Sequence, residues 1–113
     1  MKKIYLDLVI PFKNEKENLH LFFNKLKNNL KKFKQYKIDL NLIFVDDCSS
    51  DGGNLVVENN AYINKKVSLI KNKKNYGSHF SSLLGLKYCK GDISLFYWSD
   101  LEIRANQIFS IIK

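Results

Sequence analysis

One proline, five glycines and two cysteines are all that 113 residues contain of these types, and each scarcity removes a class of protein. Cys48 and Cys89 are too few and too isolated for a zinc site or a disulfide framework, so the reduced thiols of a cytosolic protein are expected. The glycines form neither a Gly-x-Gly-x-x-Gly turn for a dinucleotide nor a Gly-Lys-Ser/Thr loop for a nucleoside triphosphate. Ser78, His79, Ser81 and Ser82 gather at a helix start, but no nucleophile elbow surrounds them. His79 reads as a helix-start or substrate-contact residue rather than a base, and His20 falls off the apolar stripe of its own helix. No apolar run approaches the roughly 20 residues of a membrane span. Met1-Lys2-Lys3 leads into an apolar run that Asp7 and Pro11 interrupt, too short and too polar for a signal peptide.

Acidic residues are also in deficit, 11 against 19 basic ones, for a net charge of +8. That charge is the whole case for a nucleic-acid-binding domain. The lysines are scattered and interleaved with asparagine, which reads as a solvated surface, so no nucleic acid is expected as a partner. Such a face also suits anionic lipid or phosphate-bearing ligands, and the expected location is the cytoplasm, peripheral at the inner face of the membrane. An apolar content of 45% is that of a globular chain, and the length allows one domain and hardly two.

What is present is a regular alternation of strands and helices. Tyr5 to Phe12 is apolar nearly throughout, as in a strand covered on both faces, with Pro11 stopping it. Asn14 and Glu17 have capping-box spacing, and Leu19, Phe22, Phe23, Leu26, Leu30 and Phe33 then recur at helical intervals. A second strand, about Asp39 to Val45, returns parallel to the first. Asp51-Gly-Gly-Asn54 makes a tight turn before a short helix through Val56 and Val57. Val67 to Lys71 is the third strand. After a loop, a helix carrying Phe80, Leu83, Leu84 and Leu86 is closed by Gly91, and Asp92 to Trp98 is the fourth strand. Arg104 to Lys113 places Ile108, Ile111 and Ile112 on one helical face. The pattern is that of an α/β domain over residues 1–113 with a mainly parallel sheet.

Three of these strands end in acid-bearing turns: Leu8-Val-Ile-Pro-Phe-Lys-Asn-Glu15, Leu42-Ile-Phe-Val-Asp-Asp-Cys-Ser-Ser-Asp51 and Ile93-Ser-Leu-Phe-Tyr-Trp-Ser-Asp-Leu-Glu102. A buried strand that delivers Asp46 and Asp47 to its carboxyl end puts costly charges where open α/β sheets bind ligands. Any one of these acids could simply cap the helix that follows. Three together point to one shared site.

These strand ends resemble, in order and over essentially the whole chain, the family 2 glycosyltransferases of the GT-A fold. Val9-Ile-Pro-Phe-Lys-Asn-Glu15 is similar to the opening Val-Ile-Pro-x-x-Asn-Glu, and Val45-Asp-Asp-Cys-Ser-Ser-Asp51 to Val-Asp-Asp-Gly-Ser-x-Asp. Asn75-Tyr-Gly77 and Gly91-Asp92 resemble the Asn-Phe-Gly segment and the Gly-Asp before the fourth strand. Ser99-Asp-Leu-Glu102 falls at the metal motif, Asp-x-Asp-Leu-Gln. Within the family, the polyprenyl-phosphate branch, which includes dolichol-phosphate mannose synthase, is the nearest in flavour.

The resemblance implies strand order 3-2-1-4 and a nucleotide-diphospho-sugar donor (a UDP-, GDP- or dTDP-sugar). It also implies inverting, metal-dependent transfer to a polyprenyl phosphate or a cell-surface glycan, as in cell-envelope polysaccharide biosynthesis. It assigns donor binding to Pro11, Phe12, Asn14, Glu15, Asp46, Asp47, Lys74, Asn75, Ser99 and Asp100, with Asp46 and Asp47 as acceptors for base and ribose. Pro11 would let the backbone at Phe12 approach a base closely. Glu15 either contacts the nucleoside or stabilises its helix N-terminus. Lys74 either offsets diphosphate charge or is a surface lysine. Mg²⁺ or Mn²⁺ is expected on Asp100 and Glu102.

The chain departs from the family at Trp98, which stands where the first metal-motif Asp would be, and at Glu102, which replaces Gln. Trp98 is otherwise an apolar filler at a strand end. Full members run well past this motif, so the expectation is a donor half truncated after it, without the acceptor half and with no catalytic base identified. A non-catalytic nucleotide-sugar-binding or interaction domain is the alternative. The uncovered edge at Ile93, Leu95 and Tyr97, or the last helix, is expected to drive self-association.

Overall fold

The structure is a computed structural model and describes residues 3–63 and 66–96. In chain order it contains β1 (Ile4–Phe12), α1 (Lys16–Gln35), β2 (Ile38–Asp46), α2 (Gly53–Ile63), β3 (Val67–Lys71), α3 (Ser78–Leu86) and β4 (Ile93–Phe96). The four strands form one parallel sheet in the order β3-β2-β1-β4, as expected. β1 and β2 are central and run in register from Ile4↔Ile38 to Phe12↔Asp46.

Because strand side chains alternate, the even-numbered residues of β1 and β2 share one face of the sheet and the odd-numbered residues the other. The even face carries the main core. Leu6, Leu8, Ile10, Phe12, Leu40, Leu42 and Phe44 pack against Leu19, Phe22, Phe23, Leu26 and Phe33 of α1 and Val56 and Val57 of α2. Phe44 is its centre, with ring centroids 5.6 Å from Phe22 and 5.2 Å from Phe23. Leu30, on the expected stripe, is 42% exposed: the helical pattern continues there, but the residue lies at the rim of the packed surface.

The odd face holds a smaller cluster, Val9, Ile43 and Val45 with Ile70 and Cys89, on which α3 lies. The approach is so close that a Cβ on Gly85 would clash with Val9 Cγ1. Helices that carry the chain one way across the sheet lie on one face, and the helix that carries it back lies on the other, as right-handed crossovers require.

Four local expectations are corrected. β1 reaches Phe12 as expected, but Pro11, read as its stop, lies inside the strand. The Ile4 N–H donates toward β2 and the Phe12 carbonyl accepts from it, so even residues bond that strand. The N–H that Pro11 lacks would face the other side, and no β1–β2 bond is lost. Asn14 and Glu17 do not form a capping box: the N-cap of α1 is Glu15, with no side-chain cap of its own. Asn14 takes a left-handed backbone (φ 52°) that turns its side chain to the neighbouring loop.

Gly91 does not close α3, which ends at Leu86. A Cβ there would meet the Tyr5 carbonyl oxygen at 2.5 Å, so the glycine permits a close approach to β1. α2 is longer than expected, 11 residues, because apolar contacts continue past Val57 to Ala61. The fourth strand is described as far as Phe96; Tyr97, Trp98 and the expected last helix lie outside the described residues.

Candidate functional site

The carboxyl ends of β1, β2 and β3 lie side by side and feed three loops: residues 13–15, 47–52 and 72–77. Strand order reverses beside β1, since the chain moves outward through β2 and β3 and then crosses to β4 on the other side. In open α/β sheets this is the position at which ligands are held.

The first two loops are tied by Asn14. Its N–H donates to Ser49 Oγ (3.0 Å), and its Oδ1 accepts from the Ser50 N–H (2.7 Å). Asp51 then serves two helices at once: Oδ2 accepts the Lys16 N–H at the start of α1 (2.9 Å), and Oδ1 accepts the Gly53 N–H at the start of α2 (2.9 Å). Burial alone would raise the Asp51 carboxyl, but these two N–H groups and the Lys16 charge outweigh it, and its pKa lies below the ordinary value.

The adjacent acids Asp46 and Asp47 are both buried, 5% and 3% exposed, and the structure gives them different work. Asp46 Oδ1 accepts the Ser49 N–H (2.8 Å). Its second oxygen has no hydrogen-bond partner among the described residues.

Asp47 anchors the third loop. Oδ1 accepts from the Tyr76 N–H (2.7 Å) and Asn72 Nδ2 (3.1 Å), and Oδ2 from the Gly77 N–H (2.8 Å). With the Asn75 amide turned so that its nitrogen faces the carboxylate, Asn75 donates to the same Oδ2 at 2.6 Å and accepts from Lys13 Nζ at 2.6 Å. Burial raises the Asp47 carboxyl, but the Asn72, Tyr76 and Gly77 donors and the Lys13 charge together carry its pKa below the ordinary value. Asn72 Nδ2 also bonds the buried Ser81 Oγ (2.8 Å), which joins the network to α3.

The other expected residues divide cleanly. Pro11 and Phe12 are buried at the end of β1, and the Phe12 ring faces the core, 6.3 Å from Phe44, so only its main chain lines the loop edge. Glu15 Oε2 accepts from Asn18 Nδ2 (2.6 Å) at the helix start. Asn75 is inside the network, and Lys74 is exposed. Ser99, Asp100 and Glu102 lie outside the described residues. Among the described residues no three His, Cys, Asp or Glu side chains gather to hold a metal ion. Asp100 and Glu102 offer hard oxygen donors, the chemistry that Mg²⁺ and Mn²⁺ take.

Sequence reasoning missed Lys13, Asn72 and the double cap made by Asp51. Lys13 occupies a position that the motif leaves open, and only the folded chain brings it to Asn75. Cys48 takes φ 64°, a left-handed backbone that explains why the related motif has Gly there.

The sheet, its order and these loops are those of a GT-A domain. The chain belongs to glycosyl transferase family 2, whose profile matches residues 7–113. It is 34% identical over 99 residues to the undecaprenyl-phosphate 4-deoxy-4-formamido-L-arabinose transferase of Proteus mirabilis (strain HI4320), covering 86% of this chain and 29% of that protein. Two solved structures share the fold. The mannosyltransferase PcManGT from Pyrobaculum calidifontis, in complex with GDP-Man and Mn²⁺, has a TM-score of 0.79 at 17% identity, over 97% of this chain and 31% of that one. S. aureus TarS in complex with UDP-GlcNAc has a TM-score of 0.78 at 23% identity, over 96% and 30%. The chain thus spans about three tenths of the length of each of these proteins.

Proposed function

We propose that this chain is the donor-binding half of a glycosyltransferase that uses a nucleotide-diphospho-sugar and transfers the sugar with inversion. The observation that carries the reading is the buried Asp46/Asp47 pair at the carboxyl end of β2, beside the switch point of the sheet and roofed by loops that the family motifs supply. Isolated buried carboxylates are costly, and N–H and O–H donors are what they accept. Asp46, with one oxygen unpartnered among the described residues, suits a ribose hydroxyl; Asp47 suits the base. Asn14 and Glu15 shape the wall, Lys74 lies at the rim, and Ser99 and Asp100 complete the diphosphate end.

Mg²⁺ or Mn²⁺ on Asp100 and Glu102 would neutralise the departing nucleoside diphosphate. The similarity to an undecaprenyl-phosphate transferase favours a lipid-phosphate acceptor over a glycan, and with it work at the inner membrane face. No helix among the described residues is long and apolar enough to cross a membrane. The same proposal includes self-association through β4, whose partner among the described residues is β1.

A second reading, a binding domain without catalysis, is favoured by Trp98 at the place of a metal-motif Asp. Calorimetric titration of UDP-, GDP- and dTDP-sugars, with and without Mn²⁺ and beside a salt series with oligonucleotides, separates the readings. Saturable nucleotide-sugar binding that Mn²⁺ tightens supports the enzyme. Binding indifferent to Mn²⁺ supports the second reading. Steeply salt-dependent oligonucleotide binding without nucleotide-sugar binding refutes both.

A further inference from the structure

α3 is turned inside out for a helix that lies on a sheet. Ser81, Ser82 and Gly85 form its buried side, while Phe80, Leu83 and Leu86 face outward. A helix packed on a core normally has the opposite arrangement. Tyr76 before the helix and Tyr88 after it extend the outward apolar surface, and these apolar and aromatic side chains are 40–53% exposed. Tyr76, Phe80, Leu83 and Lys87 follow one another at helical intervals and so share one stripe. The Tyr76 and Phe80 rings pack together, with centroids 5.0 Å apart.

Charge selects what such a surface meets. Residues 72–91 contain four lysines and no aspartate or glutamate. Lys73 and Lys74 stand before the helix, Lys87 and Lys90 after it, and all are exposed. The acids that hold this segment, Asp47 and Asp7, are buried on its sheet side and bond its main chain. An apolar stripe between cationic ends, with a tyrosine near each end, suits a helix lying in the interface of an anionic membrane. A second copy is a poor occupant, because a two-fold contact would set these lysines against their own counterparts.

We infer that α3 is a docking surface for anionic phospholipid, Phe80 and Leu83 entering the headgroup boundary while the lysines meet lipid phosphates. It rests on the inner-face location proposed above and names the surface that makes the contact. The Tyr76 N–H bonds Asp47 and its ring packs on Phe80. Docking through α3 therefore brings the proposed donor loop to the level of the lipid phosphates, where a lipid-phosphate acceptor lies.

The test is sedimentation of the 113-residue chain with vesicles of phosphatidylglycerol and phosphatidylcholine, and with vesicles of phosphatidylcholine alone. The mixed vesicles should bind at least about tenfold more tightly, and added salt should weaken that binding. Phe80→Gln/Leu83→Gln should lose about tenfold on mixed vesicles, with the unfolding midpoint unchanged because both side chains are already half exposed. Lys73→Gln/Lys74→Gln, a change confined to exposed side chains, should lose about twentyfold, at about fivefold per charge. Lys27→Gln/Lys31→Gln, which removes the same charge from α1, should stay within about threefold of the wild type.

Equal loss in the α1 control, or full binding by Phe80→Gln/Leu83→Gln, shows that another surface docks. Either result overturns the inference and leaves the inner-face location in place. A wild type that does not bind mixed vesicles overturns both, while donor binding is read separately by the nucleotide-sugar titration. A lipid-free dimer that Phe80→Gln/Leu83→Gln abolishes shows that a second copy covers α3, and also overturns the inference.

Discussion

Two carboxylates on the odd face of the sheet do the same mechanical job at opposite ends of α3. Asp47 accepts the consecutive N–H groups of Tyr76 and Gly77 before the helix, at 2.7 and 2.8 Å. Asp7 accepts those of Lys90 and Gly91 after it, at 2.9 and 2.6 Å. Both acids are buried, 1% exposed for Asp7 and 3% for Asp47, and together they strap a helix whose sheet-facing side, Ser81, Ser82 and Gly85, offers little apolar grip. The difference lies in the amide that completes each clamp. Asp7 is completed by Asn41 (2.9 Å), its register partner on β2, which cannot leave while the sheet is intact. Asp47 is completed by Asn75, an exposed loop residue also held by Lys13. One clamp is closed for structure. The other is closed by an exposed loop residue, and the proposed donor site lies beside it.

The largest effect should come from the closed clamp. Asp7→Ala strands two main-chain N–H groups and the Asn41 amide, and should cost about 3 kcal/mol in denaturant unfolding. Its folded fraction should bind nucleotide with wild-type affinity; impaired binding at full folding would break the distinction between the clamps.

Asp47→Asn should act on both properties, losing about tenfold in nucleotide affinity and about 1–2 kcal/mol of stability. Relief of repulsion between the neighbouring acids is not expected to offset that loss. In the fold, the Asp47 charge is met by loop N–H groups and Lys13, so there is little repulsion to relieve. Unchanged stability in this variant would show that the loop holds itself.

Acid should discriminate as well. Asp47 and Asp51 have folded pKa values below their ordinary 3.8, so on acidification the unfolded chain takes up protons first. Their contribution is complete above the ordinary value and is lost as pH falls through the folded ones. Thermal midpoints should therefore be level above about pH 5 and decline below about pH 4. Asp51→Asn should shrink that decline; a midpoint that rises on acidification would contradict the assignment.

The smallest effect belongs to Cys48. Replacing a left-handed cysteine with glycine should add about 0.5 kcal/mol, the relief of strain less the entropy of the more flexible unfolded chain. A loss in the same unfolding assay would mean that the Sγ contact to the Asn72 carbonyl (3.3 Å) outweighs the strain.

The sheet was readable because β1 and β2 are nearly continuous apolar runs between polar turns, a pattern that only strands covered on both faces need. The order β3-β2-β1-β4 was not in that pattern; it came from the resemblance carried by the strand ends. Local rules failed where a distant residue took over a local job. The N-terminus of α1 is served by Asp51 from the next loop, and Gly91 answers to β1 across the sheet rather than to the helix before it. Asp46 and Asp47 stood out as charges at the end of an apolar strand. Lys13 did not, because a lysine in so basic a chain draws no notice until the fold sets it beside Asn75.

Amide NMR spectra during titration with a UDP-, dTDP- or GDP-sugar decide whether the loop edge over β1 and β2 receives a nucleotide beside Asp47. Saturable shifts are expected at Lys13, Asp47, Tyr76 and Gly77, with Lys90 and Gly91, at the Asp7 clamp, unmoved. Shifts centred on Lys90 and Gly91, or a saturated spectrum in which the Asp47 loop does not respond, would contradict it.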